Sequence, residues 1–140
     1  MTLIVDASPL VAMADDNDRM REPVWRLLQW EPGPLIVPAP VAAEADYLLG
    51  KRIGPAARRN FLRDIAVGRF TVECLDPFEY DLVRRLDETY RDLDVGLADL
   101  SVVVLAHRFR TTRIATFDQR HFRALRPIGG GAFSLHPVDG

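Results

Sequence analysis

The stretch "LIVDASPL", residues 3–10, decides the fold that the sequence predicts. Its first three residues form an apolar run of the length and type of a buried strand. Asp6 follows directly, before a turn into the next apolar segment. Ligands of open α/β sheets bind at the carboxyl ends of the strands. The stretch therefore predicts a core strand that carries a carboxylate to a binding site, and the alternative is that Asp6 caps the next helix.

Further strand-like runs follow this first strand, which is predicted over residues 2–5, and helical patterns fill most of the gaps. These runs are residues 35–37, 70–75, 113–116 and 132–135. Strands that alternate with helices form mostly parallel sheets covered on both faces. The sequence therefore predicts an α/β fold, a three-layer α/β/α domain whose central sheet has about four to five strands.

Two of the predicted helices have distinct patterns. Residues 76–79, Asp-Pro-Phe-Glu, have the form of a capping box with proline at the first helical position. The helix that follows is expected to bury a stripe at helical spacing, made of Phe78, Leu82, Leu86 and Tyr90. Residues 96–107 are apolar almost all round, which predicts a helix packed inside the domain.

Length and composition favour one globular domain over residues 1–140, with 48% hydrophobic and 27% charged residues. The only cysteine, Cys74, cannot form an intrachain disulfide, and we expect a buried strand thiol in a reducing cytoplasm. The N-terminus lacks the basic region of a secretory signal, and no apolar run approaches the roughly 18 residues of a membrane span. The net charge of -2 carries no overall nucleic-acid signature, although all basic residues except Lys51 are arginine.

Acidic residues recur where a sheet edge or an apolar helix face is expected. Asp118 in "IATFDQRHF" ends a second strand, with helix capping as the alternative role. Glu44 shares its predicted helix face with Val41 and Leu48. Asp99 likewise shares its predicted helix face with valines. An inward-facing carboxylate costs several kcal/mol unless it is paired, protonated or bound to a cation, and an arginine partner is the alternative to a metal.

Four acids at one sheet edge would repel one another unless a divalent cation lay among them. Carboxylate oxygens suit Mg²⁺, with Mn²⁺ as a second possibility. The histidines His107, His121 and His136 and the single cysteine show no ligand spacing, which argues against zinc.

The segments "IVDASPLVA", "VAAEADYLL", "GLADLSVVVLAHR" and "IATFDQRHF" resemble, in this order, the acidic blocks of PIN-domain ribonucleases, especially the VapC toxins of bacterial toxin–antitoxin pairs. The resemblance covers essentially the whole chain, and "RHFRALRPIGGGAFSLHP" is similar to the tail of mycobacterial members. It implies a single PIN-like nuclease domain whose metal-binding and catalytic acids are Asp6, Glu44, Asp99 and Asp118. Thr116 matches a hydroxyl position near such sites. Asp94 is a further candidate ligand, with a role near a helix start as the alternative.

The activity implied by this resemblance is endoribonuclease cleavage by the toxin of a type II toxin–antitoxin system, with Mg²⁺ activating the attacking water. Arginines around the acids could contact the RNA backbone, and Arg120 and Arg123 are the first candidates. The resemblance also implies a VapB-like antitoxin, a homodimer and a toxin–antitoxin hetero-oligomer. Trp25, Leu28 and Trp30 give one helix an unusual apolar surface, either for a partner or for the core.

Two other classes of protein share parts of this pattern. An aspartate-based phosphatase of α/β fold also places an aspartate after its first strand, but it uses a second one two positions later, where this chain has Ser8. A non-catalytic binding module with an acidic pocket, of the receiver type, needs a lysine opposite the acids. The only lysine, Lys51, lies just beyond the helix of Glu44.

Overall fold

A computed structural model describes residues 2–140, and its centre is a sheet of parallel strands. Over these residues the strands are β1 (Leu3–Val5), β2 (Leu35–Pro38), β3 (Thr71–Glu73), β4 (Arg113–Ala115) and β5 (Ser134–His136). Their order across the sheet is β3-β2-β1-β4-β5, and every neighbouring pair is parallel. The predicted parallel sheet is confirmed. The last strand begins two residues later than the sequence predicted, because Ser134 is the first residue that pairs with β4.

Helices follow most of the strands. They are α1 (Ala7–Ala14), α2 (Arg21–Trp30), α3 (Ala39–Arg52), α4 (Pro55–Ala66), α5 (Pro77–Thr89), α6 (Leu97–Arg108) and α7 (Gln119–Ala124), with a 3₁₀ turn at Arg91–Leu93. Successive side chains of a strand point to opposite faces, and all three residues of β1 are 0% exposed. Both faces of the sheet are therefore covered, as the three-layer prediction requires. None of the helices in residues 2–140 is long and apolar enough to cross a bilayer.

Helix α6 forms the middle of the core. It packs against β1, β2 and β4 and also against α3 and α5. All its residues from Leu100 to Ala106 are buried. The expectation of an inward-packed helix is confirmed. Its single buried polar side chain, Ser101, donates to the carbonyl oxygen of Ala98 at 2.6 Å, which satisfies the hydroxyl within the helix itself.

Two expectations on the far side of the domain are wrong. Phe78 is 67% exposed, whereas Glu79 is buried at 2%. The capping box is present and turns Glu79 back onto the amide of Asp76 at 2.8 Å, where Arg108 of α6 also binds it. Glu79, paired with Arg108, is therefore the buried residue at the start of α5, where Phe78 was expected to be buried. Cys74 is exposed, because β3 ends at Glu73.

Replacing Arg108 with alanine tests this buried pair. Because Glu79 would be left with a charge in the interior, Arg108→Ala should lower the free energy of unfolding by about 3 kcal/mol in urea denaturation. Arg84→Ala, which removes an ion pair whose arginine side chain is 72% exposed, should lower it by less than about 0.5 kcal/mol. Equal losses in the two variants would contradict a structural role for the buried pair.

Candidate metal centre

An acidic cleft lies at the carboxyl edge of β1 and β4. Its volume is about 530 Å³, and its lining includes all four acids predicted as ligands: Asp6, Glu44, Asp99 and Asp118. They come from four parts of the chain: the end of β1, the middle of α3, the first turn of α6 and the start of α7. Parallel strands deliver their carboxyl ends to one edge, which is why residues so distant in sequence meet there.

Asp6 is the most deeply placed of these acids. It is 5% exposed, and its Oδ2 accepts a hydrogen bond from the Thr116 hydroxyl at 2.7 Å. The contact follows from strand pairing, because Val5 lies opposite Ala115 and the next residue of each strand is therefore adjacent. Burial raises the pKa of Asp6, and the hydrogen bond from Thr116 opposes that rise. Asp6 occupies the N-cap position of α1, yet its side chain forms no capping bond.

Thr116 also connects Asp6 to Asp118. The same hydroxyl oxygen accepts from the backbone N–H of Asp118 at 3.0 Å, and Thr116 is fully buried. Asp118 does cap its helix, since its Oδ1 accepts from the backbone N–H of His121 at 3.0 Å. The capping alternative therefore holds for Asp118, whose second carboxylate oxygen has a different partner.

That partner is the His121 ring, which the sequence analysis missed as a site residue. His121 Nδ1 lies 2.9 Å from Asp118 Oδ2 and 2.9 Å from Asp99 Oδ2. One ligand atom from each of these three residues lies within 4.8 Å of the other two, so that the group could hold a metal ion. The sequence did contain a signal for His121: it follows Asp118 at position i+3, which places both residues on one side of the first turn of a helix.

The pKa of Asp99 is strongly shifted. Burial raises it first, the charges of Asp6 and Asp118 raise it further, and the result is a pKa of about 6. The arginine partner considered for Asp99 is absent from the part of the chain that the structure describes, where its ion-pair contact is His121.

Glu44 is exposed, in contrast to the expected inward-facing position. Helix α3 buries Val41, Ala45 and Leu49, which are spaced four residues apart, and Glu44 lies beside that stripe at the cleft. Partial burial and the charge of Asp6 raise its pKa, whereas the charge of Arg52 lowers it. Arg52 also lines the cleft, but within residues 2–140 no ion pair joins it to Glu44.

Asp94 and the two RNA-binding candidates, Arg120 and Arg123, are not part of the cleft lining. Asp94 is exposed and adopts a left-handed backbone with φ of 53° after the 3₁₀ turn. Arg120 is exposed on α7, and Arg123 binds Asp139 through two hydrogen bonds of 2.9 and 2.6 Å. The cleft lining includes none of these three residues.

The helix with the unusual apolar surface is α2, and its apolar residues differ in exposure. Leu28 belongs to the core, whereas Trp25 is 40% and Trp30 is 78% exposed. Core packing is therefore the correct interpretation for Leu28, whereas the two tryptophans leave apolar surface of this helix exposed.

The donor set fits a divalent cation. Over residues 2–140, no arginine or lysine forms an ion pair with any of the four cleft acids. Burial raises the pKa of Glu44 and of Asp99, neighbouring carboxylates raise both further, and a cation would relieve that repulsion. Carboxylate oxygens are the ligands that Mg²⁺ and Mn²⁺ prefer. Fold and cleft together describe an α/β protein whose acidic donor set fits such an ion.

Comparison with known proteins gives the family. The PIN domain family matches residues 3–126. The ribonuclease VapC26 of Mycobacterium tuberculosis is 38% identical over 135 residues, which cover 96% of this chain and all of the relative. The chain therefore belongs to the PIN-domain family, and the resemblance to VapC proteins that its four motifs predicted is confirmed.

Solved structures agree with the fold. VapC20 of M. tuberculosis, a toxin that cleaves the sarcin–ricin loop, superposes with a TM-score of 0.76 at 17% identity, over 83% of this chain and 89% of its own. VapBC2 of Rickettsia felis, solved with a DNA fragment from its promoter, gives a TM-score of 0.69 at 15% identity. The match covers 97% of this chain and 98% of the R. felis chain. At these identities the likeness concerns the fold alone.

The raised pKa of Asp99 has a measurable consequence for stability. The folded state holds this proton more tightly than the unfolded chain, so its contribution favours folding below about pH 4 and is lost as the pH rises through about 6. Asp99→Asn removes the charge. In EDTA, urea denaturation should show this variant to be more stable than the parent by about 1 kcal/mol at pH 8, with the difference vanishing near pH 4.

Asp87→Asn provides the control, because Asp87 is exposed on α5 outside the cleft. We expect a change of less than about 0.5 kcal/mol at either pH. A less stable Asp99→Asn protein at pH 8 would show that the carboxylate is not repelled by its neighbours.

Proposed function

We propose that this protein is a metal-dependent endoribonuclease and the toxin of a type II toxin–antitoxin pair. The main support is the cleft itself: four carboxylates of a PIN-domain chain converge there without an arginine or lysine partner in the described residues. The relative that matches over its full length is a ribonuclease. Such a cleft repels a bare phosphodiester, and a bound cation would reduce that repulsion.

Asp6, Asp99 and Asp118 would hold the ion, with Glu44 at the open side of the cleft. When bound, a divalent cation supplies Lewis-acid stabilisation of the negative charge that develops on the phosphate. The hydroxyl of Thr116 fixes the orientation of Asp6, and the capping bond to His121 fixes Asp118. Glu44 is exposed and its pKa is raised, so that its carboxylate is suited to accept a proton from the attacking water. Mg²⁺ fits the carboxylates, and Mn²⁺ is the alternative that the ring of His121 favours.

The structure gives no support to the other two classes. Ser8, at the place of the second aspartate of a phosphatase, accepts a hydrogen bond from the backbone of Phe117 at 3.0 Å and so has a structural role. Lys51 lies over the Tyr47 ring at 5.5 Å and is not part of the cleft lining. A receiver-type pocket would need that lysine among the acids.

For the antitoxin we propose the surface of α2 and its neighbours. Trp25 borders a groove of about 500 Å³ lined by residues of α1, α2, α3 and α4. An exposed aromatic beside a groove is typical of a protein-binding surface. The R. felis neighbour is a VapBC assembly, which supports a VapB-like partner for this chain. The homodimer and the toxin–antitoxin hetero-oligomer remain predictions.

Asp6→Asn tests the nuclease proposal. Because the neutral amide keeps the shape but weakens cation binding, Mg²⁺-dependent cleavage of total cellular RNA should fall at least about 100-fold. EDTA should abolish cleavage by the parent protein, and the far-ultraviolet circular dichroism of the variant should be unchanged. Asp87→Asn, with the same chemical change on exposed α5, should cleave normally. Full activity of Asp6→Asn would reject the assignment.

Arginines near the cleft supply the second test. Arg52 lines the cleft, and Arg120 is exposed without an ion pair in the described chain, whereas Arg123 is engaged by Asp139. In the inactive Asp6→Asn background, Arg52→Ala should weaken RNA binding about tenfold and lower the slope of log affinity against log salt by about 1. Arg120→Ala should have a similar but smaller effect.

The matched control is Arg84→Ala, which removes an arginine from the exposed face of α5. It should leave RNA affinity and its salt slope unchanged in fluorescence anisotropy titrations. Unchanged affinity in Arg52→Ala would remove that residue from the RNA-binding surface.

A further inference from the structure

We infer that His121 is itself a ligand of the bound cation, and that its nitrogen gives this centre a preference for Mn²⁺ over Mg²⁺. The inference rests on the proposed metal-dependent function and goes beyond it, because it concerns which ion the site selects. It adds a nitrogen donor to a set otherwise made of carboxylate oxygens.

The first argument is distance. His121 Nδ1 lies 2.9 Å from Asp99 Oδ2 and 2.9 Å from Asp118 Oδ2. Ligands on neighbouring corners of an octahedron, each about 2.1 Å from the ion, are about 3 Å apart. The ring nitrogen thus already lies at the separation of neighbouring ligands from an oxygen of each aspartate, and one ligand atom of each of the three residues lies within 4.8 Å of the other two. Asp6 and Glu44 line the same cleft but are not members of this compact group.

The second argument is that the ring is held in place. The backbone N–H of His121 donates to Asp118 Oδ1, and the side chain is 20% exposed. The next residue, Phe122, is 1% exposed and packs edge-on against Phe133, with ring centroids 6.2 Å apart. Helix α7 is therefore anchored in the core by the residue adjacent to the histidine. A ligand that is already oriented loses little conformational entropy on binding an ion.

The third argument is the chemistry of the donor. In one neutral tautomer of the ring, Nδ1 presents a lone pair towards the two carboxylates. Imidazole nitrogen is a good ligand for first-row transition metals, whereas Mg²⁺ prefers oxygen and retains its waters. A site with one nitrogen and several carboxylates should therefore favour Mn²⁺. The competing role for His121 is a hydrogen-bond partner that holds the two acids together only while no ion is bound. That role predicts tighter metal binding once the ring is removed.

The experiment measures the binding of Mn²⁺ alone and of Mg²⁺ alone to the purified protein without RNA, by isothermal titration calorimetry. We expect the parent protein to bind Mn²⁺ at least about tenfold more tightly than Mg²⁺. His121→Ala should weaken Mn²⁺ binding by about tenfold or more and Mg²⁺ binding by less. His121→Asn places an amide oxygen near the position of Nδ1, and should bring the two affinities closer together while keeping the site. It also serves if His121→Ala folds poorly.

His107→Ala is the matched control, because His107 is exposed at the other end of α6 and lies outside the acidic cleft. It should leave both affinities unchanged. Pulsed electron paramagnetic resonance provides a direct readout: the Mn²⁺-loaded parent and His107→Ala should show coupling to a ligated nitrogen, and His121→Ala should not.

Failure of this inference is distinguishable from failure of the proposed function. If the parent cleaves RNA with a metal requirement but shows no nitrogen coupling, or if His121→Ala binds Mn²⁺ as tightly as the parent or more tightly, the histidine is not a ligand and the nuclease assignment stands. If the parent binds neither ion, both proposals are overturned.

Discussion

The parallel pairing of β1 with β4 is the constraint on which the site depends. Val5 lies opposite Ala115, and the backbone N–H of Asp6 donates to the Ala115 carbonyl at 2.9 Å. This register brings Asp6 and Thr116 side by side in the interior, where the hydroxyl can bind the carboxylate. A shift of one residue would turn Asp6 towards the opposite face of the sheet. The two strands therefore define the position of the cleft, and helices α3 and α6 contribute Glu44 and Asp99 to it.

The distribution of ion pairs explains why this place can bind a cation. Elsewhere in the domain, acids with low exposure have arginine partners: Glu31 is held by Arg113 at 2.8 and 2.7 Å, and Glu79 by Arg108. In the described residues, the acids of the cleft have no such partner, and the basic contact recorded there is His121. Arginines of the chain thus neutralise the structural acids Glu31 and Glu79. The negative charge of the cleft acids has no such partner in residues 2–140, and a bound cation would neutralise it. Without a cation, this buried negative charge lowers the stability of the folded protein, as the raised pKa of Asp99 indicates.

Some of the fold and of the site could be predicted because the signals are local. Three apolar residues before Asp6 define a core strand, and the capping box at residues 76–79 defines the start of α5. Helix α6 was predictable because apolar residues surround most of its axis, which is the pattern of a helix packed inside the domain. The errors occurred where one contact between distant residues decided the outcome. Arg108 draws Glu79 inward and leaves Phe78 outside, and no periodicity along α5 carries that information.

By itself, the sequence determined the order of strands and helices, the acids at strand ends and the family, because each depends on short patterns that residues form with near neighbours. Only the tertiary structure decided that Glu44 is exposed at the cleft rather than buried and that Arg123 is engaged by Asp139. It also decided that His121 joins Asp99 across the gap between α7 and α6. The physical reason is that ion pairing and ligand geometry depend on distances through space, and these follow from the packing of helices on the sheet.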